Sequence, residues 1–237
     1  MCKASRRRTH GAVLKTELHA HTRDDPHDHI PYSAHQLIDR AANLGYGALA
    51  ITLHERQLDI RDLVDYAAAR DVVLIRGVER TISGKHVLLL NFGKEAEAVN
   101  SFEALAALKK SAPNGLVIAP HPFYPSRTCV GRLLDRYAEL FDAVEFNAFY
   151  TSTLNVFNRT AVRWASAHGK PVVANADVHR LWQLGQTYSL VDAASSADAV
   201  CDAIRARRVE ICVAPLSLLR ATTYLVDLLI DEGLNVR

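Results

Sequence analysis

The sequence predicts an α/β domain in which short buried strands alternate with helices and close into a barrel. Continuous apolar segments, amphipathic segments between them and the lack of a Pro/Gly/Ser-rich linker within the 237 residues all indicate this fold. Continuous apolar strands are typical of parallel sheets that helices cover on both faces. Seven strands are expected, at residues 14–18, 48–52, 72–78, 86–90, 116–119, 143–146 and 171–174.

Helix ends are recognisable between these strands. Ser33 is a typical N-cap, and Gly45 is expected to stop the helix that Ser33 begins. Further helices are expected from Asp59 to about Arg70, from Ser101 to about Ser111 and from Thr153 to His168. Two more are expected over 196–207 and 216–231, packed across the barrel.

The composition is that of an ordinary globular protein, with 49% hydrophobic residues and a formal charge of +2. The basic run Arg6–Arg8 predicts a solvated, disordered segment over residues 1–12, followed by one barrel domain over 13–237. Four dispersed cysteines predict reduced thiols and a cytoplasmic protein. The sequence holds no apolar run of the ~20 residues that span a bilayer, so no membrane partner is expected.

A potential metal ligand follows nearly every predicted strand. His19 and His21 come after the first strand, and alternation directs both side chains to the same side. The later strands are followed by His54, Glu79, His121, Glu145 or Asn147, and Asp177 with His179. Any one of these would be read as an ordinary polar residue, but chance would scatter such residues over both ends of the strands. Their convergence therefore predicts a metal site at the carboxyl ends of the strands.

The other histidines are read differently. His10 lies in the predicted disordered segment, and His35 and His168 fall on helices, where solvated positions are expected. His86 begins a strand, and a position in the pocket is the less favoured interpretation compared with no role in the site.

In these motifs the chain resembles the PHP (polymerase and histidinol phosphatase) family. The motifs are His19-x-His21, Ile51-Thr52-x-His54, Gly77-Val78-Glu79, His121-Pro122 and Asp177-x-His179. The resemblance implies a distorted (β/α)7 TIM-like barrel with two to three divalent metal ions, for which zinc, manganese and iron are all suitable. It also implies a phosphoesterase that acts through a metal-bridged hydroxide, with Glu79, Asp177 and His179 taking part in catalysis.

The resemblance also implies a ligand set. His19, His21, Glu79 and Asp177 would hold one ion, and Glu79 would bridge to a second ion with His121 and a residue of the sixth strand. That residue is Asn147, with Glu145 as the alternative. A third ion would be held by His54, His179 and a residue of the 23–29 segment. Asp28 and Asp25 are the candidates there, with His27 and His29 as alternatives. The chain departs from many relatives at Leu53, where they have Asp.

A small phosphomonoester or a nucleotide is the expected substrate, because no extra domain for a polymer is evident. Arg127 and Arg180 are candidate contacts for its phosphate. Alternatives are an exonuclease-like hydrolase acting on nucleic-acid ends, a catalytically weakened metal-binding scaffold for a partner protein, and a hydrolase of C–N bonds. A nucleic-acid partner is not favoured by the near-neutral charge. The sequence leaves the oligomeric state open.

Overall fold

A computed structural model of the chain describes residues 12–234, and side chains up to residue 226. The predicted disordered segment therefore lies outside the described residues, except for Ala12, which begins the first strand. Within this part of the chain, no helix is both long and apolar enough to cross a membrane. The strands are β1 Ala12–Glu17, β2 Ala48–Ile51, β3 Val73–Ile82, β4 Lys85–Leu90, β5 Leu116–Ala119, β6 Ala143–Asn147, β7 Val172–Asn175, β8 Tyr188–Ala193 and β9 Val209–Cys212.

The described strands form one sheet that curves into a nearly closed barrel, in the order β7-β6-β5-β4-β3-β2-β1-β8-β9. The sheet nearly closes where β7 lies beside β8, since the Ser189 hydroxyl of β8 accepts a hydrogen bond from the Ala174 N–H of β7 at 2.8 Å. Beyond the strands, His21 N–H donates to the Val178 carbonyl at 3.0 Å, which joins the extensions of β1 and β7. The predicted α/β barrel is confirmed, and β1–β7 correspond to the seven expected strands.

The expectation of an all-parallel sheet is wrong for β4, which runs antiparallel to both β3 and β5. The reason is the tight turn at Ser83 and Gly84, both with positive φ, which turns β3 directly into β4 as a hairpin. The antiparallel strands β8 and β9 were not predicted. β8 alternates buried and half-buried residues, so it lacks the continuous apolar character of the parallel strands.

The helices are α1 Ala34–Asn43, α2 Arg61–Ala68, α3 Phe102–Ser111, α4 Leu133–Arg136, α5 Val156–His168, α6 Ala197–Arg205 and α7 Leu218–Leu234, with short 3₁₀ helices at Lys94–Ala98, Ala138–Leu140 and Leu181–Gln183. Ser33 caps α1 in a full capping box, and Ser101 caps α3, as predicted.

Two predicted helix starts are wrong. α5 begins after Asn155 rather than at Thr153, whose hydroxyl instead pairs with that of Thr151. α2 begins after Ile60, because the Asp59 carboxylate accepts hydrogen bonds from the side chain and backbone N–H of Arg61 rather than capping further along the helix.

α6 packs across the amino end of the barrel. Its residues Val200 and Ile204 share an apolar cluster with Leu14, Leu116 and Ala143, which lie at or near the starts of their strands. This end is therefore filled by apolar side chains, and the carboxyl end is left for polar groups. The start of α7 is different, since Leu218 and Leu219 are more than three-quarters exposed.

The cysteines do not share one state. Cys129 and Cys201 are buried free thiols, whereas Cys212 is disulfide-bonded. The expectation of reduced thiols is therefore wrong for Cys212.

Candidate metal centre

Two parallel bridges beyond the regular strands bring the predicted ligands together. Ala20 pairs with Val178, and His54 pairs with Glu79. The first bridge places His19 and His21 beside Asp177 and the residues that follow it. Alternate residues of an extended chain face the same side. The residues on either side of this bridge therefore point into one cluster: His19, His21, Asp177 and His179.

The carboxylate of Glu79 lies at the middle of this cluster and is almost completely buried. Its Oε2 lies 3.0 Å from His19 Nε2, 3.4 Å from His21 Nε2 and 3.3 Å from His54 Nε2. Its other oxygen, Oε1, lies 2.8 Å from His86 Nδ1 and 3.4 Å from His121 Nε2. One carboxylate therefore separates two groups of imidazoles, which is the geometry expected of a bridging ligand.

Asp177 approaches the same cluster from the end of β7. Its Oδ1 lies 3.3 Å from His19 Nε2, 3.5 Å from His21 Nε2 and 3.5 Å from His179 Nδ1. The backbone is unusual here, because Asp177 has φ 52° and His121 has φ 30°. Positive φ in residues with a side chain is concentrated at functional sites, where the surrounding structure holds it in place.

Both acidic candidates of the 23–29 segment reach the cluster. Asp25 Oδ2 lies 2.8 Å from His21 Nδ1 and accepts a hydrogen bond from the His54 backbone N–H at 2.9 Å. Asp28 Oδ2 lies 3.0 Å from His179 Nε2 and 3.5 Å from His54 Nδ1. The His27 ring stacks on His54 with centroids 5.3 Å apart, whereas His29 is exposed.

The two sixth-strand candidates have different surroundings. Glu145 accepts hydrogen bonds from Asn175 Nδ2 and His121 N–H and lies 2.9 Å from His19 Nδ1. A carboxylate at Nδ1 orients such a ring so that its Nε2 faces a metal. Asn147 lines the cavity and donates from Nδ2 to Asp177 at 3.3 Å, while its Oδ1 accepts Phe149 N–H at 2.8 Å.

Three buried atoms of this cluster, His21 Nε2, Glu79 Oε1 and Asp177 Oδ1, make no hydrogen bond of suitable geometry, although an oppositely charged or polar atom lies 2.8–3.4 Å from each. Unpaired polar atoms are costly when buried, so atoms that converge in this way fit a bound cation. Among the described residues, five groups of three or four His, Asp and Glu donors have their ligand atoms within 4.8 Å of one another. Mixed imidazole and carboxylate ligands suit zinc, manganese and iron alike.

Electrostatics in the metal-free cluster favours the charged forms of Glu79 and His54. Burial disfavours the charged form of His54, but Glu79 and Asp25 outweigh it and raise the pKa of His54 to about 9. Burial also disfavours ionised Glu79, yet His19, His86 and His54 hold the pKa of Glu79 well below its usual value. The additional proton on His54 must leave before the ring can bind a metal.

A cavity of about 370 Å³ opens above the cluster. Its described lining residues are Asp28, His54, Glu79, His86, His121, Tyr124, Ser126, Thr128, Asn147, Phe149, Asp177, His179 and Tyr224. Neither predicted phosphate contact is among them: Arg127 is exposed, and Arg180 donates to the His179 carbonyl at 3.0 Å. Sequence reasoning missed Tyr124, Phe149 and Tyr224 because no motif marks an aromatic residue in a loop or on a late helix.

Comparison with known proteins agrees with this geometry. A family model described as PHP-associated matches residues 155–209, the segment that contains Asp177 and His179. A two-domain protein from Bacteroides vulgatus containing a predicted PHP-like metal-dependent phosphoesterase superposes with a TM-score of 0.66 at 17% identity, over 92% of this chain and 74% of that one. The resemblance to the PHP family is confirmed.

Two further structures share this fold. PsfC from Pseudomonas syringae has a TM-score of 0.65 at 16% identity, over 94% of this chain and 99% of PsfC. The lesion-specific endonuclease EndoQ from Pyrococcus furiosus has a TM-score of 0.59 at 14% identity, over 90% of this chain and 66% of EndoQ. No curated protein sequence matches the chain. At these identities the likeness establishes the fold.

Proposed function

We propose that the chain is a metal-dependent phosphoesterase that hydrolyses a small phosphomonoester or a nucleotide. The observation that supports this most strongly is Glu79, whose two carboxylate oxygens face separate groups of imidazoles. A carboxylate placed in this way can join two cations a few ångströms apart, which is the arrangement that phosphoryl transfer uses.

The proposed ligand set follows the distances. One ion would be held by His19, His21, Glu79 and Asp177, and a second by Glu79 and His121, with Asn147 nearby. A third would be held by His54, His179 and Asp28 or Asp25. His86 lies closer to Glu79 Oε1 than His121 does, so His86 is an additional candidate for the second ion.

Divalent ions in this site would lower the pKa of water and neutralise the charge of phosphoryl oxygens. The chain's own residues would supply the orientation. Glu79, Asp177 and His179 line the cavity and are proposed to fix the ions and the attacking water beside the ester. Glu145 would hold the His19 ring in place through Nδ1.

Metal content and activity can be measured on the same samples. Protein purified without chelator is expected to contain two to three equivalents of transition metal, and the His19→Ala/His21→Ala double variant should lose most of it. The His35→Ala/His168→Ala variant is a matched control, because neither histidine lines the cavity. Binding of less than about half an equivalent after manganese or zinc is supplied would contradict the proposal.

The loaded protein should then be offered p-nitrophenyl phosphate, nucleoside monophosphates, a short oligonucleotide and a cyclic amide. Hydrolysis of the monoesters, lost in the double variant and kept in the control, is the expected result. Hydrolysis of the cyclic amide alone would contradict the proposal and would indicate a hydrolase of C–N bonds. Hydrolysis of the oligonucleotide alone would indicate a nuclease instead.

A further inference from the structure

We propose that the cavity selects phosphate monoesters whose alcohol carries a planar ring, such as nucleoside monophosphates, through an aromatic wall. We define this wall as Tyr124, Phe149 and Tyr224. The inference rests on the proposed function, because it names the class of ester that the same centre would cleave.

The aromatic wall and the metal centre line the same cavity. The carboxylates and imidazoles of the metal centre form one part of the lining, and the three aromatic residues are also exposed to the cavity. Tyr124 is near the centre, since its backbone N–H donates to the His121 carbonyl at 3.2 Å, and Tyr224 lines the same cavity as Asp177. A ligand whose phosphate lies on the metal centre therefore extends its alcohol towards aromatic carbon.

Contacts within the wall hold it in place. The Tyr124 hydroxyl donates to the Phe149 carbonyl at 2.7 Å, and the Phe149 and Tyr224 rings stack with centroids 4.5 Å apart. Asn147 joins the wall to the metal centre, because it accepts Phe149 N–H through Oδ1 and donates to Asp177 through Nδ2. A rigid aromatic surface binds a flat ring at low entropic cost, which a mobile side chain would not.

The charge of the lining limits the ligand to one phosphate. None of the described lining residues is Lys or Arg, whereas Asp28, Glu79 and Asp177 are acidic. A phosphoryl group at the metal centre would be neutralised by cations, but a second phosphate would meet neutral side chains such as Ser126 and Thr128. These hydroxyls suit the hydroxyl groups of a sugar. A ring, a sugar-like linker and a single phosphate together describe a nucleoside monophosphate.

The experiment compares 5′-AMP with glycerol 3-phosphate on the manganese-loaded full chain. The wild type is expected to show kcat/KM at least about tenfold higher for 5′-AMP, as one stacked base allows. Phe149→Leu should raise KM for 5′-AMP about tenfold, with little change in kcat and no change for glycerol 3-phosphate. Phe123→Leu is the matched control, since Phe123 packs on the core and is not among the lining residues.

An equal fall in kcat/KM for both substrates in Phe149→Leu would overturn the inference, and so would equal kcat/KM for both in the wild type. Either result would leave the proposed phosphoesterase activity standing. ADP tests whether the cavity favours a second phosphate. Its KM should not fall below that of 5′-AMP, and a KM about tenfold lower would overturn the single-phosphate argument.

Calorimetry separates this inference from the proposed function. The probes are the non-hydrolysable phosphonate analogue of 5′-AMP and methylphosphonate, titrated into the metal-loaded chain. Tighter binding of the nucleotide analogue, lost in Phe149→Leu, supports the aromatic wall even if no ester is hydrolysed. Equal affinity for the two phosphonates would overturn it.

Discussion

Glu79 in the metal centre and Glu17 one layer deeper in the barrel are both buried carboxylates, but they have different neighbours. Five imidazoles surround Glu79, those of His19, His21, His54, His86 and His121. Glu17 instead accepts hydrogen bonds from the backbone N–H groups of His19 and Ala176.

Their pKa values move in opposite directions for this reason. Burial raises the pKa of Glu17 well above its usual value, and the two backbone N–H groups offset only part of that effect. At Glu79 the same effect of burial is outweighed by the nearby imidazoles, and the pKa falls well below its usual value. The comparison teaches that burial alone yields a neutral acid, whereas a shell of imidazoles yields a carboxylate ready to bind a cation.

The largest expected effect comes from removing the charge of Glu79. Glu79→Gln keeps the size of the side chain but takes away the ligand that both groups of imidazoles share. We expect loss of at least one equivalent of metal and a fall in kcat/KM of about 10³-fold or more, measured by elemental analysis and steady-state kinetics. Glu103→Gln, an exposed position on α3, is the matched control. Full metal content in Glu79→Gln would rule out a bridging role.

A second prediction concerns pH. The pKa of His54 is raised to about 9 in the metal-free protein, so a proton must leave His54 when it becomes a ligand. Metal affinity should therefore rise with pH up to about 9, about tenfold per unit for each proton displaced. Titration of Mn²⁺ at several pH values, in buffers of different ionisation enthalpy, measures both the affinity and the protons released. An affinity that does not change between pH 6.5 and 8.5 would show that His54 is not a ligand.

The smallest effect is expected at Glu17. Because its folded-state pKa is raised, its contribution to stability is complete below the unfolded pKa of about 4.3 and is lost as pH rises above that value. Glu17→Gln does not titrate. Metal-free Glu17→Gln should therefore gain stability relative to the metal-free wild type between pH 5 and pH 8, by about 1 kcal/mol, with metal content unchanged in the loaded protein.

Urea unfolding at the two pH values measures this difference. Glu210→Gln, at an exposed position on β9, should show no such gain. Loss of metal from Glu17→Gln would contradict this prediction and would show that Glu17 helps to hold the ions.

The sequence predicted most of the cluster because strand alternation and parallel strand ends are local rules. They placed His19, His21 and Asp177 together without knowledge of any tertiary contact. His86 was undervalued because its position depends on the β3–β4 hairpin. The hairpin pairs His86 with Thr81, on the same face of β3 as Glu79.

The aromatic wall was beyond such rules. Phe149 lies in a loop and Tyr224 on α7, 75 positions later in the sequence, and the two rings meet only after the whole chain has folded. Asn147 shows the same limit. Its side chain bridges Asp177 and the Phe149 backbone, and that contact depends on the course of the loop after β6.

The helix α6 has a consequence for the order of events during turnover. Since its apolar residues fill the amino end of the barrel, the ester, water and products of the proposed phosphoesterase would enter and leave on the carboxyl side, where the cavity lies. A product that remains on the metal centre therefore occupies the position that the next ester needs. Inorganic phosphate should act as a competitive inhibitor, and the rate at which it leaves sets an upper limit on turnover.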